Sequence, residues 1–203
     1  MNKQMAGIMT AALLLASCTG GDGNANPTAN TATTTAAATA TTAASPSPST
    51  TSAEDQAAQH AEAVYRDYLR TQITCFTDPR ATPSTCFDAV AIGPEKNTSL
   101  QALRAAQEVN SKVSGDIGVL SIKTTKVDLT NKVSQTPPIV PEVVFRVCED
   151  LSNLNIVDKD GKSIVPPSRK PHVLVDVSVL NYKLSDPSQW RVGRITEVKD
   201  GTC

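Results

Sequence analysis

The chain contains few of the residues on which catalytic, metal and nucleic-acid sites are built. Among its 203 residues two are histidines and 3% are aromatic, and the formal net charge is −1. A nucleic-acid partner would call for a clustered basic face, and stacking on bases would call for more aromatic rings, so we predict no nucleic-acid partner. No CxxC spacing accompanies the histidines, so we predict no metal site.

Several motifs of nucleotide and serine chemistry are also missing. The sequence has neither a P-loop nor a GxGxxG turn, the two phosphate-binding patterns that begin with glycine. It has no GxSxG nucleophile elbow either. We therefore predict that the chain uses no cofactor and contains no serine hydrolase site.

The strongest motif is the sequence Leu-Ala-Ser-Cys that ends at Cys18. It follows Lys3 and an apolar stretch, residues 6–15, which is too short to span a bilayer but fits the h-region of a signal peptide. These four residues resemble the bacterial lipobox, so we predict a signal peptide over residues 1–17 and lipidation of Cys18. Two or more acyl chains, such as palmitate, would anchor the protein stably at the outer face of the cell membrane. The alternatives are ordinary secretion and a cytosolic chain.

The residues that follow Cys18 predict a flexible tether. Residues 19–52 consist almost entirely of Gly, Asn, Ala, Thr, Ser and Pro, and such a segment cannot bury enough apolar surface to fold. As a random coil it would span about 30 Å on average. We therefore divide the chain into a signal peptide (1–17), a lipidated cysteine with its linker (18–52) and one folded domain (53–203).

Four cysteines remain if Cys18 carries lipid, and an even number in an exported domain suggests two disulfides. Three connectivities are open to Cys75, Cys86, Cys148 and Cys203. We favour Cys75–Cys86, which brackets a loop containing proline, together with Cys148–Cys203, which would tie the last residue to an interior strand. Each bridge would add about 3–4 kcal/mol of stability. The alternative is four buried thiols in a cytosolic protein.

Two capping patterns predict two amphipathic helices. Ser52 with Asp55 begins the first, which we expect to run to about Ile73, and a second box at Thr98 begins another that ends before Gly115. The apolar positions of the first helix fall on one face. They are Ala57, Ala61, Val64, Tyr65, Tyr68 and Leu69.

After Gly115 the apolar period changes to two, which predicts strands. The phase changes near Thr124 and near Gly193, where we expect bulges. Helices followed by strands without alternation predict an α+β fold, in which a curved antiparallel sheet of four to six strands wraps on the N-terminal helices. The predicted strands are 118–129, 142–151, 172–184 and 190–199.

This order of elements resembles the NTF2-like (cystatin-like, SnoaL-type) cone fold, and actinobacterial NTF2-like lipoproteins in particular. The resemblance covers residues 53–203. It is carried by segments 65–69, 148–150, 158–162 and 190–192, together with the terminal cysteine. It implies a conical pocket between sheet and first helix, and a binding or accessory role more often than an enzymatic one. It also supports the Cys148–Cys203 pairing, because a late strand would lie beside the strand of Cys148.

In enzymes of this fold an Asp–His pair or a single Asp serves as acid or base, so the resemblance draws attention to Asp150 and Asp176. An aspartate in an apolar pocket could have a raised pKa and take a proton. We instead expect Asp176 either to form a structural ion pair, with Arg146 across the sheet as the partner, or to lie exposed, and we expect His60 and His172 to be exposed. No catalytic residue is therefore assigned.

A binding pocket is the remaining candidate site. The residues proposed to line it are Tyr65, Tyr68, Arg146, Asp176 and Trp190. Three functions stay open: a non-catalytic binding or accessory module of the cell envelope, a SnoaL-type isomerase or hydrolase acting on a small apolar molecule, and a structural envelope protein. The expected partners are the membrane, reached through the lipid, and a small apolar ligand or an envelope protein.

Overall fold

The structure, a computed structural model, describes residues 51–199 and 201–203. The predicted signal peptide, the lipidation of Cys18 and nearly all of the linker lie outside these residues. The described chain is α+β, as predicted, with two helices and antiparallel sheets of four and two strands. The elements are α1 (Ala53–Thr77), α2 (Gly93–Val109), β1 (Lys112–Ser114), β2 (Gly118–Asp128), β3 (Glu142–Asp150), β4 (Asn155–Val157), β5 (His172–Asn181) and β6 (Trp190–Glu197).

Helix α1 begins at the predicted capping box. The Ser52 hydroxyl accepts a hydrogen bond from the backbone N–H of Asp55, whose carboxylate accepts one from the Ser52 backbone in return. The helix ends at Thr77, four residues beyond the prediction. Cys75 is fully buried in this last turn, so tertiary packing extends the helix past the point where its apolar pattern fades.

Helix α2 begins at Gly93, and the predicted start at Thr98 is wrong. Its N-cap residue, Ile92, provides no side-chain cap, and Pro94 and Glu95 occupy the first turn. Proline is preorganised for that position, and a carboxylate there complements the helix dipole. The apparent capping box lies inside the helix. The helix ends at Val109, and its C-cap residue, Asn110, adopts the left-handed conformation (φ 54°).

The four-stranded sheet has the order β2-β3-β5-β6, and all neighbours are antiparallel. Strand β2 is interrupted by register shifts at Leu120 and at Thr125, so the predicted bulge near Thr124 is confirmed. Strand β6 is interrupted at Gly193, as its phase change predicted. Bulges bend and twist a strand, and these lie on both edges of the sheet.

One face of the sheet packs on α1 and forms the core. Its central residues alternate along β3 and β5, and they are almost entirely buried. They are Val143, Phe145, Val147, Val175, Val177 and Val179. Tyr65, Tyr68 and Leu69 of α1 belong to the same cluster. We call the other side of the sheet the open face.

Both favoured disulfides are present. Cys75 and Cys86 are bonded with their Cα atoms 6.3 Å apart, and this bridge joins the end of α1 to the loop before α2. Cys148 and Cys203 are bonded with their Cα atoms 5.5 Å apart. Because Cys148 alternates with the core residues of β3, this second bridge fixes the last residue on the open face.

Candidate binding cleft

The five residues predicted to line a pocket lie on two sides of the sheet. Tyr65, Tyr68 and Trp190 are buried in the core. Arg146 and Asp176 form a bidentate ion pair on the open face, with both N···O distances 2.9 Å. Neighbouring residues of a strand point to opposite faces, so Arg146 cannot share a cavity with the tyrosines behind the sheet. These five side chains therefore do not surround one pocket.

The aspartates and histidines considered for catalysis lie outside the core. Arg146 holds the pKa of the Asp176 carboxyl below its ordinary value. Asp150 ends β3, and the Ser152 hydroxyl and N–H lower the pKa of its carboxyl. The His172 ring lies 3.6 Å from it. His60 is exposed on α1. Within residues 51–199 and 201–203, no group of three histidine, cysteine or acidic side chains could hold a metal ion.

Instead, two glutamates that were not among the predicted site residues extend into the core. The Tyr65 hydroxyl donates a hydrogen bond to Oε1 of Glu149 at 2.5 Å. Burial raises the pKa of the Glu149 carboxyl, the hydrogen bond from Tyr65 lowers it, and the charge of Glu95 raises it again. Burial, followed by the charge of Glu149, raises the pKa of Tyr65. Burial thus favours the protonated form of both groups.

The second glutamate, Glu95 of α2, joins three elements. Its Oε1 accepts a hydrogen bond from the Tyr68 hydroxyl at 2.5 Å, and its Oε2 accepts one from the backbone N–H of Ile195 at 3.1 Å. The same tyrosine hydroxyl accepts a hydrogen bond from Gln72 at 2.7 Å and lies 3.1 Å from the Ser99 hydroxyl. These groups bind one another rather than facing an open volume, so the network serves mainly to hold the core together.

A cleft of about 400 Å³ lies between the C-terminal half of α1 and the beginning of β2. Its residues share one arrangement, an apolar wall with charged side chains beside it. The wall consists of Leu69, Ile73, Ile117 and Val119, and the polar lining consists of Arg66, Arg70, Thr74 and Asp116. This size lies within the range of small-molecule sites.

Helical spacing explains how α1 builds its side of the cleft. Positions 66, 69, 70 and 73 follow the i, i+3, i+4, i+7 pattern, so they form one stripe along the helix. The chain then turns at Gly115, which adopts a φ of 83°, and enters β2. Ile117 and Val119 are two residues apart and so face the same side, towards α1.

The cations of the cleft have carboxylate partners that lie on α1 itself. Arg66 binds Glu62 at 2.8 Å, and Arg70 pairs with Asp67. Both arginines stay accessible, since the side chain of Arg66 is 42% exposed and that of Arg70 is 70% exposed. Such surface ion pairs are weak, so a ligand anion could compete for both guanidinium groups.

The cleft was not predicted from the sequence, because Arg66 and Arg70 are not among the apolar positions from which the inner face of α1 was predicted. A signal was present, since both arginines border the stripe that contains Leu69 and Ile73. The second wall could not be read from the sequence, because it depends on where the turn at Gly115 directs β2.

The arrangement is suited to binding an elongated molecule that has an apolar body and an anionic group. The wall would bury the body, and the two guanidinium groups would attract the anion. Among the eight lining residues the one hydroxyl, that of Thr74, donates its hydrogen bond to the backbone carbonyl of Arg70 rather than to a general base. Neither helix of the described residues has the combination of length and hydropathy that a membrane span needs.

Comparison with known proteins gives little further information. No protein-family model and no curated protein matches the chain. In structure it is similar to the intermembrane space region of the chloroplast protein ARC6. That similarity has a TM-score of 0.47 at 12% identity and covers 70% of this chain and 95% of that one. We therefore derive a function from the residues of the chain itself.

Proposed function

We propose that the chain is an extracytoplasmic lipoprotein, anchored through Cys18, whose NTF2-like domain is a non-catalytic binding module of the cell envelope. The lipobox supports the anchor. The two disulfides support an oxidising compartment, because such bonds are rare in the cytosol. A long helix on one face of a bulged antiparallel sheet is consistent with an NTF2-like cone.

The proposed binding role depends on the cleft. Apolar residues from α1 and from the start of β2 form its wall, and Arg66 and Arg70 lie on one edge of it. A small ligand with an apolar body and a carboxylate or similar anion fits both features. The interior behind the sheet is filled by Tyr65, Tyr68 and Trp190, so the ligand would lie against α1 rather than deep in a cone.

The binding role can be tested on the full chain by calorimetry with two matched probes, dodecanoate and dodecanol. We expect Ile73→Ser to weaken both probes, because it removes apolar wall. Arg70→Gln should weaken dodecanoate about three- to tenfold and leave dodecanol unchanged, because only dodecanoate is an anion. Val109→Ser is the matched control, since Val109 is an exposed aliphatic residue on α2, away from the cleft. Equal binding by all four proteins, or no binding, would reject the cleft as a site.

The anchor has its own test, the intact mass of the protein from membrane fractions. A mass that begins at a diacylated or triacylated Cys18 is expected. An unprocessed chain would reject the anchor without affecting the cleft.

A SnoaL-type enzyme is the second candidate, and Glu149 favours it. This half-buried carboxyl has a raised pKa and pairs in the sheet with Val119, a residue of the cleft wall. An enzyme would lose turnover in the Glu149→Gln variant while still binding its substrate. A binding module would show no turnover to lose.

A further inference from the structure

Exposed apolar side chains are concentrated at one end of the four-stranded sheet. Seven large apolar residues of the described chain are exposed, and four of these belong to two loops. Val133 (55% exposed) and Ile139 (39%) lie in the loop over residues 129–141, and Tyr182 (46%) and Leu184 (38%) lie in the loop over residues 182–189. The other three, Val109, Leu120 and Ile164, lie on separate elements.

The strand register places both loops at the same end. Asp128, the last residue of β2, pairs with Glu142 at the start of β3. Glu142 pairs with Leu180 near the end of β5, and Leu180 pairs with Arg191 at the start of β6. The loop between β2 and β3 and the loop between β5 and β6 therefore leave the sheet side by side. We call them together the loop end.

Asn181 joins the roots of the two loops. This side chain is fully buried. Its backbone N–H donates a hydrogen bond to the carbonyl of Pro141 at 3.0 Å, which fixes the first loop. Its amide donates to the carbonyl of Asp186 at 3.0 Å and accepts from the N–H of Lys183 at 2.7 Å, which fixes the second. The two loops thus extend from one shared polar base.

The charged side chains of residues 129–141 and 182–185, which we call the tips of the loop end, are all positive. Residues 129–141 contain Lys132 and no carboxylate, and residues 182–185 contain Lys183 and no carboxylate. Asp186 follows at the point where the second loop turns back to the sheet, and its carboxylate accepts hydrogen bonds from the N–H and the hydroxyl of Ser188. The tips therefore combine aliphatic side chains, a tyrosine and two lysines.

We propose that the loop end is a membrane-contact surface that enters the headgroup region of a bilayer containing anionic lipids. Exposed aliphatic residues gain by burial at the acyl boundary, and tyrosine, whose ring is apolar and whose hydroxyl is polar, favours the same depth. Lysines beside them are attracted to anionic headgroups. The absence of carboxylates from the tips of these two loops is the charge pattern that such a surface requires. The surface is separate from the cleft, and it does not require that Cys18 carries lipid.

Site-specific tryptophan fluorescence tests the proposal on the full chain. Trp190 is the single native tryptophan, and the unsubstituted chain supplies its background signal. Leu184→Trp places a reporter at the loop end, and Ile164→Trp places one in the loop that precedes β5, at a residue that is more exposed (50% against 38%). With vesicles of brominated phosphatidylglycerol, we expect emission from position 184 to fall at least twofold and emission from position 164 to stay unchanged. This readout is local, so it is valid whichever other segment holds the chain to the vesicle.

Charge reversal supplies the second arm. In the Leu184→Trp background, Lys132→Glu with Lys183→Glu should raise the lipid concentration for half-maximal quenching about tenfold or more. Lys159→Glu, at an exposed lysine outside the loop end, should leave it unchanged. Equal quenching at positions 164 and 184, or none at position 184, would overturn the proposal. If position 184 is not quenched, the exposed apolar residues of the loop end would instead indicate a protein partner.

Discussion

The Glu95 carboxylate accepts a hydrogen bond from the backbone N–H of Ile195, so a helix side chain takes the place of a neighbouring strand at the edge of the sheet. Nearer the start of β6, residues 90–92 cover the same edge. The N–H of Ile92 donates to the carbonyl of Val192 at 2.9 Å, and the N–H of Val192 donates to the carbonyl of Val90 at 2.8 Å. The edge that β6 would otherwise present is thus closed by α2 and the segment before it.

Removing Glu95 should therefore destabilise the domain. Glu95→Ala leaves the Tyr68 hydroxyl and the Ile195 N–H without their acceptor in a buried region, and we expect a loss of about 2–4 kcal/mol in the free energy of unfolding. Glu95→Gln should lower the free energy of unfolding by less, because the amide oxygen of the glutamine can still accept one of these hydrogen bonds. Urea denaturation measures both. Glu108→Ala, at an exposed residue of the same helix, is the control, and equal midpoints for E95A and E108A would contradict the structural role of Glu95.

The raised pKa of Glu149 makes a prediction about pH. The folded state binds this proton more tightly than the unfolded state, whose carboxyl has an ordinary pKa near 4.5. The free energy of unfolding should therefore fall as the pH rises above that value, until the folded carboxyl has also ionised. Glu149→Gln should remove this part of the slope. The free energy of unfolding of the variant should therefore rise relative to that of the unsubstituted chain as the pH increases.

Denaturation curves at several pH values between 4.5 and 8 measure the difference between the two proteins. The carboxyls with lowered pKa values, such as that of Asp176, are the same in both proteins, so their contribution cancels in this difference. A constant difference between E149Q and the unsubstituted chain would show that Glu149 has an ordinary pKa. Glu108→Gln serves as the exposed control.

The two disulfides should differ in their effect on stability. The Cys148–Cys203 bridge closes 55 residues, and the Cys75–Cys86 bridge closes 11. On the loop-entropy model, replacing Cys148 and Cys203 by serine should lower the free energy of unfolding by about 4 kcal/mol. Replacing Cys75 and Cys86 by serine should lower it by about 3 kcal/mol. Urea denaturation of both variants provides the comparison. Alkylation of the native protein without reductant should leave Cys75, Cys86, Cys148 and Cys203 unmodified, and alkylation of either pair would contradict the bridge between its two members.

Gly193 should be intolerant of a side chain because of Leu180. A Cβ at Gly193 would lie 2.6 Å from Cδ1 and 3.0 Å from Cγ of Leu180, closer than van der Waals contact allows. We expect Gly193→Ala to cost about 1 kcal/mol or more. Leu180→Ala should relieve most of that cost, so a double-mutant cycle should show coupling between the two positions. Additive effects would mean that the backbone at the bulge moves instead.

Local patterns predicted the parts of the fold that local chemistry decides. The Ser52–Asp55 box begins α1, and the alternating valines of β5 face the core, because caps and strand period depend on neighbouring residues. The start of helix α2 could not be predicted in this way, because its first turn is set by Pro94 and by Glu95, whose carboxylate bonds with residues 27 and 100 positions away. Contacts of that range leave no periodic trace in the sequence.

The candidate site was harder to predict for the same reason. Tyr65 and Tyr68 were correctly placed on the inner face of α1, but their partners, Glu149 and Glu95, are charged residues in otherwise apolar surroundings. Arg146 and Asp176 were expected to pair and do pair, on the open face. The cleft depends on the angle between α1 and the start of β2, and such angles follow from packing.

The bulges of β2 have a consequence for how copies of this chain meet. Strand β2 is an edge of the sheet, and its register is broken at Leu120 and at Thr125, whose hydroxyl bonds to the carbonyl of Val144 in its own sheet. Lys123, between the two bulges, and Lys126, directly after the second, are both exposed. A strand from another molecule could match only the few residues between the bulges, and it would meet positive charge there. Crowded copies should therefore remain separate rather than extend one another's sheets.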